Sequence, residues 1–124
     1  MSVKVDLDQL AGALEDFTFA HLVTVGDDYR AHTVAVEPVF ADGVINVGPV
    51  GGGTRRNLAQ HDGVTLVWPP SQPGDYTLIV DGRAEVTDDG LTVVPTRAVL
   101  HRRATSDSAA TSPDGLHDCL PLKK

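Results

Sequence analysis

The segment with the richest chemistry runs from Gly48 to Leu58 and reads GPVGGGTRRNL. Glycines let a backbone pass close to a ligand and turn its N–H groups toward it. A helix that starts just after them adds free N–H donors and a positive dipole end. Thr54 brings a hydroxyl, and Arg55 and Arg56 bring guanidinium forks that grip anions. That combination suits a phosphate monoester. The plainer alternative is a loose hairpin exit followed by two solvated arginines. It is not a Walker A loop, because Gly53 is followed by Thr-Arg and no Lys-Ser/Thr pair. Nor is it a dinucleotide fingerprint: the glycine spacing is wrong, and strands do not alternate with long helices.

The other reactive side chains are scattered. His21 and His32 fall in strand patterns, His61 follows the short helix, and His101 and His117 come late. His32 is a candidate to face a ligand ring, against the simpler reading of a half-buried strand residue. His101 with His117-x-Cys119 offers soft-metal donors, but the spacing fits no zinc pattern. Trp68 ends a core strand and reads as packing. The single cysteine, Cys119, excludes an intrachain disulfide and reads as an exposed thiol.

Several elements must carry these groups. Asp6 stands as an N-cap for a helix over residues 6–16, with Val5 and Leu10 at staple positions and Leu7, Leu10, Ala11 and Leu14 as its apolar stripe. Phe17–Val25 is strand-like, and Gly26-Asp27-Asp28 is turn chemistry. Ala31–Phe40 alternates, with His32, Val34 and Val36 on one side and Thr33 and Ala35 on the other. Pro38 marks an edge or bulge. Asp42-Gly43 is a type I′ hairpin signal that returns Val44–Val47 beside Val39–Ala41. Thr54–Gln60 is a short helix capped by Thr54, and Val64–Trp68 a buried strand. Asp75–Val86 is a long strand bent at Gly82. Leu91–Val94 follows a turn, and Thr96–Arg103 is a strand or a short helix. About six strands and two helices predict a mainly β chain folded as a small antiparallel barrel. From Ala104 the composition turns to Ala, Thr, Ser, Asp, Pro and Gly, so residues 104–124 are expected to be a flexible tail behind a domain spanning residues 1–103.

Composition narrows the function classes. The chain has 124 residues, 41% hydrophobic and 22% charged, as expected for one folded domain. Its 10 basic against 17 acidic residues give a net charge of −7, which disfavours nucleic-acid phosphates in the absence of a basic stripe. No signal peptide or membrane helix is readable, so a cytoplasmic location is expected. A chain this short is small for an enclosed cavity, so a sizeable site would need a second subunit to complete it.

The order of these pieces resembles the pyridoxamine 5′-phosphate oxidase-like split β-barrel family, which includes FMN-binding proteins and deazaflavin (F420)-dependent reductases. The resemblance is carried by FTFAHLVTV, RAHTVAVEPVFADGVINVGP, GGGTRRNLAQHDGVTLVW and YTLIVDGRAEV, and it spans roughly residues 15–103. It implies a homodimer with cofactor sites at the subunit interface. It also implies that the segment Gly53, Thr54, Arg55, Arg56 and Asn57 holds the cofactor phosphate. The strand of His32, Thr33 and Val34 and the strand end at Val47, Gly48 and Pro49 would then flank the ribityl chain and ring. Many members carry Lys or Arg four residues before the helix leucine, where this chain has Thr54, so Arg55 and Arg56 are the compensating cations. The implied function is an FMN- or F420-dependent oxidoreductase acting on a small molecule. Two alternatives are a non-catalytic flavin-binding or storage protein and a haem-binding relative on the same fold. No catalytic side chain stands out, and flavin chemistry does not require one, because the cofactor carries the hydride. The short chain lacks a recognisable substrate-binding extension of a true pyridoxamine 5′-phosphate oxidase.

Overall fold

The computed structural model describes residues 2–103; the tail assigned to residues 104–124 lies outside them. The chain forms one eight-stranded antiparallel sheet that curls into a split barrel. Its strands are β1 (Ser2–Val5), β2 (Ala20–Val25), β3 (Ala31–Val36), β4 (Val39–Ala41), β5 (Val44–Gly48), β6 (Gly63–Trp68), β7 (Thr77–Thr87) and β8 (Gly90–His101). The helices are α1 (Leu10–Leu14), entered through a 3-10 turn at Leu7–Gln9, and α2 (Gly52–Gln60). Neighbouring strands follow the order β3-β2-β6-β7-β8-β5-β4, and β1 adds to β8.

Alternation decides which side faces in. Ala20, Leu22 and Thr24 of β2, Val64, Leu66 and Trp68 of β6, Leu78 and Val80 of β7, Leu91 and Val93 of β8 and Ile45 and Val47 of β5 are buried together. Trp68 is a packing residue, as its strand position predicts. Each fully buried leucine or valine contributes about 1.5–3 kcal/mol of transfer free energy. Asp42 and Gly43 both take positive φ, 54° and 78°, which gives the I′-type turn. The turn pairs Val39 with Asn46 and Ala41 with Val44, as the sequence predicts.

The structure departs from the sequence expectations at four places. The N-terminal helix is short: it begins as a 3-10 turn, and Asp6 makes no side-chain cap bond. Leu10 and Leu14 of the expected stripe pack on the core, joined by Ala13 and Phe17, whereas Leu7 and Ala11 are exposed. Ser2–Val5, given no element above, is a strand paired with Ala98–His101. Leu91–Val94 and Thr96–Arg103 merge into the single strand β8. Helix α2 starts earlier than expected, capped by Gly51, with Thr54 inside it.

Pro95 is tolerated within β8 because the ladder breaks there. Asp81 pairs with Arg97 and Gly82 with Pro95, so Thr96 is an extra residue, and its hydroxyl donates to the Asp81 carbonyl at 3.2 Å. Gly82 is required at this bend. A Cβ there would stand 2.6 Å from both Val93 Cγ1 and the Val94 carbonyl oxygen. Gly82→Ala is therefore expected to cost about 1–3 kcal/mol, with a fall in Tm of at least about 5 °C on thermal unfolding. An unchanged Tm would show that the bend relaxes freely.

Candidate functional site

Helix α2 begins within the run Gly51–Gly53, with Gly51 as its cap, and its first turn is open. The Arg55 N–H donates to the Gly51 carbonyl at 3.1 Å. The N–H groups before it have no intrahelical acceptor, by helix geometry. Across from that turn lies β3. Gly53, Arg56 and Asn57 of α2, Ala31 and His32 of β3, and Asp28 and Arg30 of the β2–β3 turn line one shallow cavity of about 230 Å³. Gly53 allows this approach, because a Cβ there would stand 3.2 Å from His32 Nε2. The Arg56 guanidinium folds back toward the first turn, with one terminal nitrogen 4.0 Å from where a Gly52 Cβ would be.

Charge in the cavity is unevenly matched. Arg30 Nε sits 3.6 Å from the Asp28 carboxylate, and the Arg30 N–H donates to the same carboxylate at 3.0 Å. Arg56 has no such ion pair among the described residues. It therefore supplies the uncompensated positive charge, beside helix N–H donors and the His32 ring. A dianionic group of phosphate size fits that donor set. The other large cavity, about 380 Å³, lies between the end of α1 and residues 71–76. Its lining includes the carboxylates of Asp16 and Asp75, and Arg102 stands 5.0 Å over the ring of Tyr76, another lining residue.

The structure thus brings His32, Gly53, Arg56 and Asn57 together and places the other expected site residues elsewhere. Arg55 points away, its Nε donating to the Val50 carbonyl at 3.4 Å. Adjacent helical residues diverge by about 100°, which separates the two arginines. Thr54 is 1% exposed, so its hydroxyl does not reach the cavity. Thr33 is exposed on the opposite face of β3 from His32, and Val34 packs against the core. Val47 is a core residue. Gly48 ends β5, its N–H bonded to Asn46 Oδ1 at 3.0 Å, and exposed Pro49 follows. Asp28 and Arg30 also line the cavity, although their segment reads in the sequence only as turn chemistry. The Asp-x-Arg spacing at its end was the available signal.

No group of three His, Cys, Asp or Glu able to hold a metal occurs among the described residues. His101 lies at the end of β8, its Nδ1 3.4 Å from Ser2 Oγ, and partial burial lowers its pKa. His117 and Cys119 lie outside the described residues.

Asn57 has a second task. Its Nδ2 donates to the hydroxyl of Thr24, a fully buried residue, at 3.0 Å. This bond ties α2 to the end of β2, so it fixes where Arg56 stands. Asn57→Ala is expected to cost about 1–3 kcal/mol, because it strands a buried hydroxyl. Thr24→Val in the Asn57→Ala background is expected to recover part of that loss. Urea unfolding of the two single variants and the double variant checks the coupling, and strict additivity would rule it out.

Comparison with known proteins places this geometry in context. No protein-family model matches the chain. An uncharacterized protein of Mycobacterium bovis is 50% identical over 94% of this chain and 94% of its own length. An uncharacterized protein of Mycobacterium tuberculosis matches to the same degree. Among solved structures, an F420 reductase superposes with a TM-score of 0.57 at 19% identity, covering 70% of this chain and 93% of its own. An FAD-binding protein from Mycobacterium smegmatis gives 0.58 at 17% identity, covering 82% and 100%. A Listeria innocua protein described as a pyridoxamine 5′-phosphate oxidase gives 0.62 at 15%, covering 76% and 96%. Half-identity over nearly the full length establishes kinship, and the superpositions establish the fold: the chain belongs to the family of these two mycobacterial proteins and has the split β-barrel fold of pyridoxamine 5′-phosphate oxidase-like proteins.

Proposed function

We propose that the chain binds a phosphorylated flavin-type cofactor, FMN or F420, and acts as an oxidoreductase on a small molecule. The observation that carries this reading is the cavity between α2 and β3, where Arg56, the open first turn of α2 and His32 face one another. Two structural neighbours, an F420 reductase and an FAD-binding protein, point the same way. When bound, such a cofactor supplies hydride transfer at its ring. The chain's own residues bind and orient it. Arg56 and the N–H groups of Gly52 and Gly53 hold the phosphate. His32 closes the cavity from the β3 side. By the family resemblance, Gly48 and Pro49, which precede the helix by only a few residues, would flank the ribityl chain and ring.

The second part of the proposal is a homodimer that completes the ring site and contributes to the substrate site. Val39, 64% exposed, and Val94, 51% exposed, lie on one outer face of the sheet. Register places them close: Val39 pairs with Asn46 and Asn46 with Thr92, two residues from Val94 on the same face. Two large apolar side chains on one open sheet face fit a self-association surface.

Two measurements test the reading. In isothermal titration, Arg56→Ala is expected to weaken FMN and F420 by at least about tenfold, since a charge-assisted hydrogen bond is worth about 1.5–3 kcal/mol and a decade about 1.4. Riboflavin is expected to bind unchanged, and Arg55→Ala to have little effect on either. Equal loss for riboflavin would show that Arg56 supports the ring or the fold. No loss would move the phosphate away from α2. Light scattering is expected to give twice the single-chain mass for the native chain and the single-chain mass for Val94→Asp. A native mass equal to one chain would overturn the dimer.

A further inference from the structure

The cavity of about 380 Å³ between the end of α1 and residues 71–76 has no part in the phosphate site. Phe17, in its lining, stands three residues before β2, and Asp28, in the lining of the phosphate cavity, stands three residues after it. The strand between them holds the two cavities about 20 Å apart, at about 3.3 Å per residue. A cleft of a few hundred Å³ is large enough for a small molecule.

Its floor is apolar and its rim is acidic. Ala13, Phe17 and Leu100 line it and pack on the core, and Tyr76 adds a second ring. Asp16 and Asp75 line it from exposed positions. Backbone bonds hold both residues in place: the Asp16 N–H donates to the Ala13 carbonyl at 3.4 Å, and the Asp75 N–H to the Gln72 carbonyl at 3.1 Å. Neither carboxylate has an ion pair or a side-chain hydrogen bond among the described residues.

The chain itself already seats one cation at this lining. Arg102 carries its guanidinium 5.0 Å over the Tyr76 ring, the geometry by which an aromatic face attracts positive charge. Two carboxylates against that one guanidinium leave one negative charge in excess. The net charge of −7 on the whole chain adds a field of the same sign. An anion is opposed by both. A neutral apolar molecule satisfies the rings and ignores the carboxylates. An organic cation of single charge satisfies both.

From this lining we infer that the cavity is a second small-molecule site that takes an organic monocation, its ammonium group held by Asp16 and Asp75 and its apolar body laid against Phe17, Tyr76 and Leu100. The inference stands apart from the flavin reading, because the two cavities share no lining residue.

Isothermal titration of the full chain with phenethylamine, 2-phenylethanol and phenylacetate tests it. These probes share one ring and differ in charge. Phenethylamine is expected to bind most tightly, 2-phenylethanol more weakly and phenylacetate not at all. The double variant Asp16→Asn with Asp75→Asn is expected to weaken phenethylamine by at least about fivefold, as two exposed carboxylate contacts allow, and to leave 2-phenylethanol unchanged. Added salt is expected to weaken the amine alone. Arg56→Ala is expected to leave all three probes unchanged. Equal affinity for the amine and the alcohol overturns the inference, as does full amine affinity in the double variant. So does the absence of amine binding below about 10 mM, a level that corresponds to less than about 3 kcal/mol. The order of the three probes on the native chain decides the matter even if the double variant fails to fold.

Discussion

The molecule depends on one long hairpin and the place where it bends. Strand β8 is twelve residues long and pairs with β7 along its whole length, with β5 beside its first half and with β1 beside its second. No other strand among the described residues has three strand neighbours. A straight ladder of that length would leave Leu78 and Val80 on a flat sheet with no opposite wall. The bulge at Gly82 and Pro95 turns the hairpin so that its two halves bury their inward residues against β5 and β6. The pairings it organises are far apart in sequence, Ser2 with His101 being the extreme. Closing such contacts costs chain entropy before burial offsets it, so folding of this barrel is governed by non-local pairing.

The site is a second-order product of that scaffold. The first turn of α2 and Arg56 supply the anion-binding chemistry, but the sheet decides where they stand. The Asn57–Thr24 bond fixes the helix on β2, and the missing side chain of Gly53 lets His32 of β3 close the other side. The cation works at short range. The chain as a whole carries −7, so an approaching anion meets repulsion at a distance and attraction only within the cavity. Screening over about 8–10 Å at physiological salt makes those two scales separable.

How much of this was legible follows from where each signal lives. The hairpin at Asp42-Gly43, the alternation of His32, Val34 and Val36 and the bend at Gly82 are local, and all three appear in the structure. The triglycine leading into a helix was also readable, although the helix starts at Gly52 and buries Thr54. Strand β1 was not readable, because Ser2-Val3-Lys4-Val5 alternates over only four residues and is held by residues 98–101, at the far end of the described chain. Leu91–Val94 and Thr96–Arg103 read as separate segments, since the bulge that lets β8 run on through Pro95 belongs to the pairing with β7 and not to β8 itself. Arg55 and Arg56 are equivalent in sequence. Only the helix phase separates the one that lines the cavity from the one bonded to Val50.

The ends of the sheet path, β3 and β4, are consecutive in the chain and joined only by Glu37 and Pro38. The barrel therefore has no gap that a second chain could widen at that corner; one strand changes partners there through a two-residue link. These two edge strands are six and three residues long and part company at a proline that has no N–H to offer. A partner strand that ran across both would lose its ladder at that proline. The same corner that lets one sheet serve as both walls of the core thus also interrupts the run of backbone groups that its ends present.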